Sequence, residues 1–157
     1  MHALPGRAAA IFGSLGWSAS MGASAWLAGA VKAKAFGGSL EAVVLTFALG
    51  GLTGFVPALT AYRLKGAQKS SSQRFALIFL SLAAATSGCT YTFYLLAFRS
   101  YYAQWHDEVL TADWFREQFF TTASAGYQFA VLGLRSFLPL GLGALFFASW
   151  LISKKPV

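Results

Sequence analysis

Charge is what this sequence has least of, and acid is the scarcer sign: five Asp or Glu stand against twelve Lys or Arg in 157 residues, and charged residues make up 11% of a chain that is 57% hydrophobic. So little charge cannot cover an ordinary water-facing surface, which excludes a free soluble globule and implies lipid as the missing solvent. Cysteine is almost absent as well. The single Cys89 excludes an internal disulfide and any Cys-rich zinc or iron–sulfur site. With two histidines, His2 and His106, separated by most of the chain, a bis-histidine haem is not expected either. The net charge of +7 raises nucleic acid as a partner. The basic residues nevertheless sit in short clusters between long apolar runs, the layout of topology determinants, so nucleic acid is not expected.

Long apolar runs are plentiful. A hydrocarbon core of about 30 Å at about 1.5 Å rise per residue needs about 20 apolar residues per helix. Residues 8–31, 42–62 and 75–98 contain no Lys, Arg, Asp or Glu, and 127–152 contains only Arg135, which falls near its outer boundary. The expected fold is therefore an all-α integral membrane protein, a single membrane domain over 1–157 built as a four-transmembrane-helix bundle. The first run imitates a secretory signal after Arg7. It is longer than the 7–15 apolar residues of a signal core and ends in Lys32 and Lys34 with no polar domain behind it, so a retained helix is expected.

Orientation follows from the basic residues. Four spans place Arg7, Arg63, Lys65, Lys69, Arg74, Lys154 and Lys155 on one side without any acid. The other side receives Lys32, Lys34, Arg99 and Arg116 with all five acids, Glu41, Asp107, Glu108, Asp113 and Glu117. The positive-inside rule then puts both termini and the 63–74 loop in cytoplasm, matrix or stroma. Gly37, Gly38 and Ser39 form a turn in which Ser39 caps the second helix, with Glu41 in its first turn. Thr111 caps a short segment, 112–120, whose Trp114, Phe115, Phe119 and Phe120 follow Tyr101, Tyr102 and Trp105. Trp and Tyr prefer the headgroup level, so a short interfacial helix is expected in the third loop.

Inside lipid, helices associate through close backbone approach rather than through the hydrophobic effect. Thr46, Gly50, Gly54 and Ala58 recur every fourth residue and predict one flat face on the second helix, while Ser14, Ser18 and Gly22 predict its counterpart on the first. Ser81, Ala84 and Gly88 on the third span and Gly141, Ala144 and Ala148 on the fourth supply further small faces. Val44 reads as lipid-facing.

Chemistry-bearing residues are few. Arg135 is the candidate contact for an anionic headgroup or substrate carboxylate, weighed against snorkelling to phosphate or pairing with Asp113 or Glu117. Pro57 and Pro139 predict kinks, with a carbonyl freed near Thr53. His106, Asp107 and Glu108 are consecutive and point in different directions, so no metal site is expected. Cys89 lies in a polar patch over 87–92, with hydroxyls that bond across helices or to their own carbonyls. Neither Cys89 nor His106 has an identifiable catalytic partner, and neither an enzyme nor a cofactor is expected.

The residues Gly29-Ala30-Val31-Lys32-Ala33, Ser39-Leu40, Gly50, Gly51 and Gly54, and Arg135-Ser136-Phe137-Leu138-Pro139 followed by Gly141, resemble the transmembrane protein 14 and plastid fatty-acid-export family. The resemblance covers most of the four spans. It implies a small four-helix protein of a mitochondrial inner or plastid envelope membrane, associated with transport of fatty acids or porphyrin precursors. The third loop, 99–126, is longer than that family leads one to expect, and its aromatic, acidic character looks like a docking surface. Two functions follow as expectations: an accessory subunit of a larger, organellar energy-converting complex, with lipids and other subunits as partners, or a small carrier or channel for an amphipathic anion.

Overall fold

The computed structural model describes residues 7–31, 39–66, 69–138 and 140–154, with the backbone alone for residues 7–9 and 31. The expectations resting on His2, Lys32, Lys34, Gly37, Gly38, Pro139 and Lys155 lie outside the described residues, as does that on the side chain of Arg7. Helices α1 (Arg7–Val31), α2 (Leu40–Gly66), α3 (Ser71–Tyr102), α4 (Ala112–Gln128) and α5 (Leu140–Ser153) make up the fold, and no strand occurs among the described residues. A 3₁₀ turn, Ala103–Trp105, ends α3. A π segment, Phe129–Gly133, and a second 3₁₀ turn, Leu134–Phe137, continue α4 towards α5.

Local sequence explains the starts. The Ser39 hydroxyl accepts from the Ala42 amide at 3.2 Å, and that of Thr111 accepts from Trp114 at 3.1 Å. Ser70 and Gln73 form a reciprocal capping box at the start of α3, with bonds of 3.4 and 3.1 Å. Pro57 does not interrupt α2, which runs as one helix through it.

Packing is antiparallel between chain neighbours. Gly22 of α1 lies against Ala48 and Val44 of α2, and Gly13 against Phe55, so numbers rise on one helix as they fall on the other. On the opposite side of α2, Gly50 faces Thr90 and Gly54 faces Thr86 of α3. α5 returns beside α3 through Phe79 and Phe146, with ring centroids 5.0 Å apart. Trp17, Met21, Phe55, Tyr62, Ile78, Leu82 and Leu145 form the core where these four helices meet.

Two helices, α2 and α3 extended to Trp105, are long and apolar enough to cross a membrane. A third crossing is available if Ala112–Phe137 and Leu140–Ser153, which meet at 68°, count as one span. α1 is not among these, because Gly13, Ser14, Gly16, Ser18, Ser20, Gly22 and Ser24 dilute its apolar content. The expected last span, 127–152, is two pieces rather than one straight helix. The expected segment 112–120 is part of a 17-residue helix that continues into the π segment.

The small-residue faces also differ from expectation. Gly50 and Gly54 turn towards α3, while Ser18 and Gly22 of α1 meet α2 at Ala48 and Gly51. α3 buries Ile78, Leu82, Thr86 and Thr90; Ala84 and Gly88 point outward, and nothing approaches a β-carbon built on Gly88. α5 buries Gly141, Leu145, Ser149 and Ser153, with Ala144 and Ala148 at the edge of the core. Val44 is not lipid-facing but packs on Gly22.

Candidate functional site at the broken helix

The α4–α5 break leaves backbone groups without helical partners, and in a water-poor setting each must be satisfied from elsewhere. Ser24, fully buried on α1, does this with one hydroxyl. It donates to the Ser136 carbonyl at 3.0 Å and accepts from the Gly141 amide at 3.0 Å, so it joins the two sides of the break. About two turns earlier on α1, the Trp17 indole N–H donates to the Thr86 hydroxyl at 2.8 Å, and the Thr90 hydroxyl donates to the Thr86 carbonyl at 2.7 Å. Gly50 and Gly54 allow the close approach that buries these threonines. A β-carbon on Gly50 would come 2.7 Å from Thr90 Cα, and one on Gly54 would come 2.8 Å from Thr86 Cα.

Clefts open on both sides of the break. One, of ≈200 Å³, is lined by Trp17, Met21, Leu82, Thr86, Phe137 and Gly141. The other, of ≈520 Å³, lies between α2, α3 and the π segment, with Thr46, Phe47, Tyr94, Phe98, Gln128 and Phe129 on its walls. The Tyr94 hydroxyl donates to the Gln128 side-chain carbonyl at 3.0 Å. Both clefts are apolar with a few polar groups, the composition of sites for lipid-like ligands.

Each predicted residue can now be placed. Arg135 sits in the 3₁₀ turn at the break, exposed. It pairs with neither acid proposed for it: Asp113 holds Arg116 at 2.8 Å, and a Glu117 carboxylate oxygen accepts from the Asp107 amide at 3.0 Å. Ser18 donates to the Ala48 carbonyl at 2.7 Å, whereas Thr46 bonds back to Ala42 on its own helix. Ser14 and Ala58 are buried. Cys89 is half-buried and carries a free thiol.

The loop between α3 and α4 is tied from within. Arg99 donates to the Gln118 side-chain carbonyl, and the Gln118 amide donates to His106 Nδ1 at 2.8 Å, which leaves Nε2 to donate to Thr121 at 3.2 Å. Among the described residues no group of three His, Cys, Asp or Glu gathers around one point. Leu110, at the turn before α4, adopts a left-handed φ of 74° and is 74% exposed.

At the opposite end of the bundle lie the Tyr62 hydroxyl, buried and without a hydrogen-bond partner among the described residues, and Arg74 Nε, in the same condition. Ser149 Oγ on α5 is a third such atom. Sequence reasoning missed Ser24, Trp17, Thr86 and Tyr62. The Ser24 and Thr86 roles depend on which faces meet, for which periodicity alone carries no signal. The capping box was readable as Ser70-x-x-Gln73.

An all-helical protein with membrane-length helices and an apolar, internally braced break is the class that fold and site define. No family model, curated protein or solved structure matches the chain.

Proposed function

We propose that this chain is a non-catalytic accessory subunit of a larger membrane assembly, resident in an organellar inner membrane of the kind that the transmembrane protein 14 resemblance suggests. In this reading the chain crosses the bilayer four times with both termini on the matrix or stromal side. The lengthwise packing of α1 on α2 supports the extra crossing, and the distribution of basic residues supports the orientation.

The observation that carries the reading is Leu110. A left-handed backbone costs a leucine about 1–2 kcal/mol, and here that cost presents an apolar side chain to the outside. Strain of this kind persists where function uses it. Val109, Trp105, Phe115 and Phe119 are exposed around it, and the polar network of Arg99, Gln118 and His106 fixes the loop that displays them. Such a rigid aromatic and aliphatic patch suits a protein partner at the headgroup level, with lipid around the remaining faces.

The test is the native size of the endogenous protein after mild detergent extraction, with mass spectrometry of whatever co-migrates. Co-migration with subunits of a large complex is the expected result. Leu110→Gly relieves the φ strain, so it should leave the fold intact and weaken that association. A chain that migrates alone or as a small homo-oligomer would overturn the proposal.

The break itself favours a second reading, a carrier for an amphipathic anion such as a fatty acid or porphyrin precursor. Discontinuous helices flanked by apolar clefts are a recurrent transport arrangement, and an exposed arginine at the break is suited to a carboxylate. This reading predicts that the purified chain binds palmitate and that Arg135→Ala weakens binding by at least about tenfold. Equal binding by both would sink it.

A further inference from the structure

We propose that the end of the bundle where α2 ends and α3 begins is a binding site for a phosphate group, with Arg74 and the Tyr62 hydroxyl as its inner donors and an anionic phospholipid headgroup as the favoured source.

The first observation is the pair of orphaned donors. Tyr62 is 2% exposed, yet among the described residues its hydroxyl has no acceptor, and Arg74 Nε on the first turn of α3 is likewise buried without one. Both stand where α2 ends and α3 begins: Tyr62 shares its core cluster with Ile78, one turn along α3 from Arg74. A buried donor left unpaired is costly, so two at the same end of the bundle point to an acceptor from outside the chain. Both orphans are donor groups beside guanidinium charge, which selects an anion rich in acceptor oxygens.

The second observation is the surrounding charge. Lys65 and Lys69 are exposed in or beside the same turn. Lys154 follows α5, which reaches the same end of the bundle, and its ammonium rests 3.5 Å from the centre of the Trp150 ring. No acid lies between Arg63 and Arg99, or after Glu117. A tryptophan beside a lysine is characteristic of the headgroup layer, and basic pockets between membrane helices on the positive side recognise lipid phosphates. The break packs on α2 at Phe47, through Phe137, fifteen residues before Tyr62, so this site lies apart from the one at the break.

The test uses the full chain in nanodiscs. In phosphatidylcholine alone, Tyr62→Phe should be at least as stable as wild type, because it removes an unpaired donor. With phosphatidylglycerol added, wild type should gain thermal stability and retain the lipid in native mass spectrometry. Arg74→Gln should lose about tenfold or more in phosphatidylglycerol affinity, the scale of one charge-assisted hydrogen bond. Tyr62→Phe should lose a few-fold. A parallel titration with inorganic phosphate separates the sources: a phosphate effect that matches the lipid effect and is lost in both variants assigns the site to a soluble anion. Stabilisation by phosphatidylglycerol that is equal in wild type and both variants would overturn the site altogether.

Discussion

At Ser24 one hydroxyl, itself fully buried, serves two backbone groups that belong to different helical segments. Removing that hydroxyl leaves a buried carbonyl and a buried amide unpaired together. Ser24→Ala is therefore expected to lower the unfolding free energy by about 1–3 kcal/mol, read by thermal or denaturant unfolding in detergent. Ser20→Ala is the control, because Ser20 is half-buried and bonds only to the Gly16 carbonyl of its own helix. Equal stability of the two variants would remove the bracing role of Ser24. Trp17 and Thr86 make the complementary case. Their bond joins α1 to α3 across 69 residues of sequence, and a double-mutant cycle of Trp17→Phe with Thr86→Val should return a coupling of about 0.6–1.7 kcal/mol, the range for such bonds between membrane helices.

Among the elements, α2 carries the organising role because both of its small faces are used. Gly51 accommodates Met21 and Ser18 of α1, while Gly50 and Gly54 admit the α3 backbone. A side chain at Gly54 would meet the Thr86 Cα at 2.8 Å and its amide nitrogen at 2.9 Å, atoms of a helix backbone that cannot rotate aside. Gly54→Leu is thus expected to separate α2 from α3 and to destabilise by about 1–3 kcal/mol or more. Leu45→Ala, on an exposed position of the same helix, should cost far less. Indistinguishable unfolding of the two in detergent would remove close approach as the basis of the bundle. The stripe itself was legible, since Gly50 and Gly54 recur every fourth residue and glycine is rarely retained in a helix without a packing reason. Its partner was not. α3 meets it with Thr86 and Thr90 rather than with its own small residues, because a glycine groove receives whichever backbone lies across it. The caps at Ser39 and Thr111 were likewise readable, as they depend on local hydrogen bonds alone. The break near Phe137 was only half readable: proline signals a kink, but the π segment and the Ser24 brace depend on a helix more than a hundred residues away.

For the whole molecule the open physical matter is how a chain with two to three helices of ordinary membrane hydropathy holds a first helix so rich in serine and glycine. Antiparallel packing supplies a reason. α1 lies along α2, where the Ser18 hydroxyl donates a hydrogen bond to the Ala48 carbonyl, and against the break, where the Ser24 hydroxyl bonds two backbone groups. Hydroxyls bonded in this way no longer cost what a hydropathy scale assigns them, and α1 becomes apolar in effect. The proposed four crossings put the α2–α3 turn and the α3–α4 loop on opposite sides. Single cysteines introduced at Ser72 and at Glu108 in a Cys89→Ser background test this directly, since both positions are exposed. In sealed, oriented vesicles, an impermeant maleimide should label one of the two and reach the other only after the membrane is opened. Labelling of both from the same side would mean that α3 does not cross, and would leave the segregation of basic and acidic residues without a topological cause. Cysteines at Ala10 and Lys154 extend the same assay to the ends of α1 and α5, which should share the side of Ser72 if α1 crosses and the broken pair counts as one span.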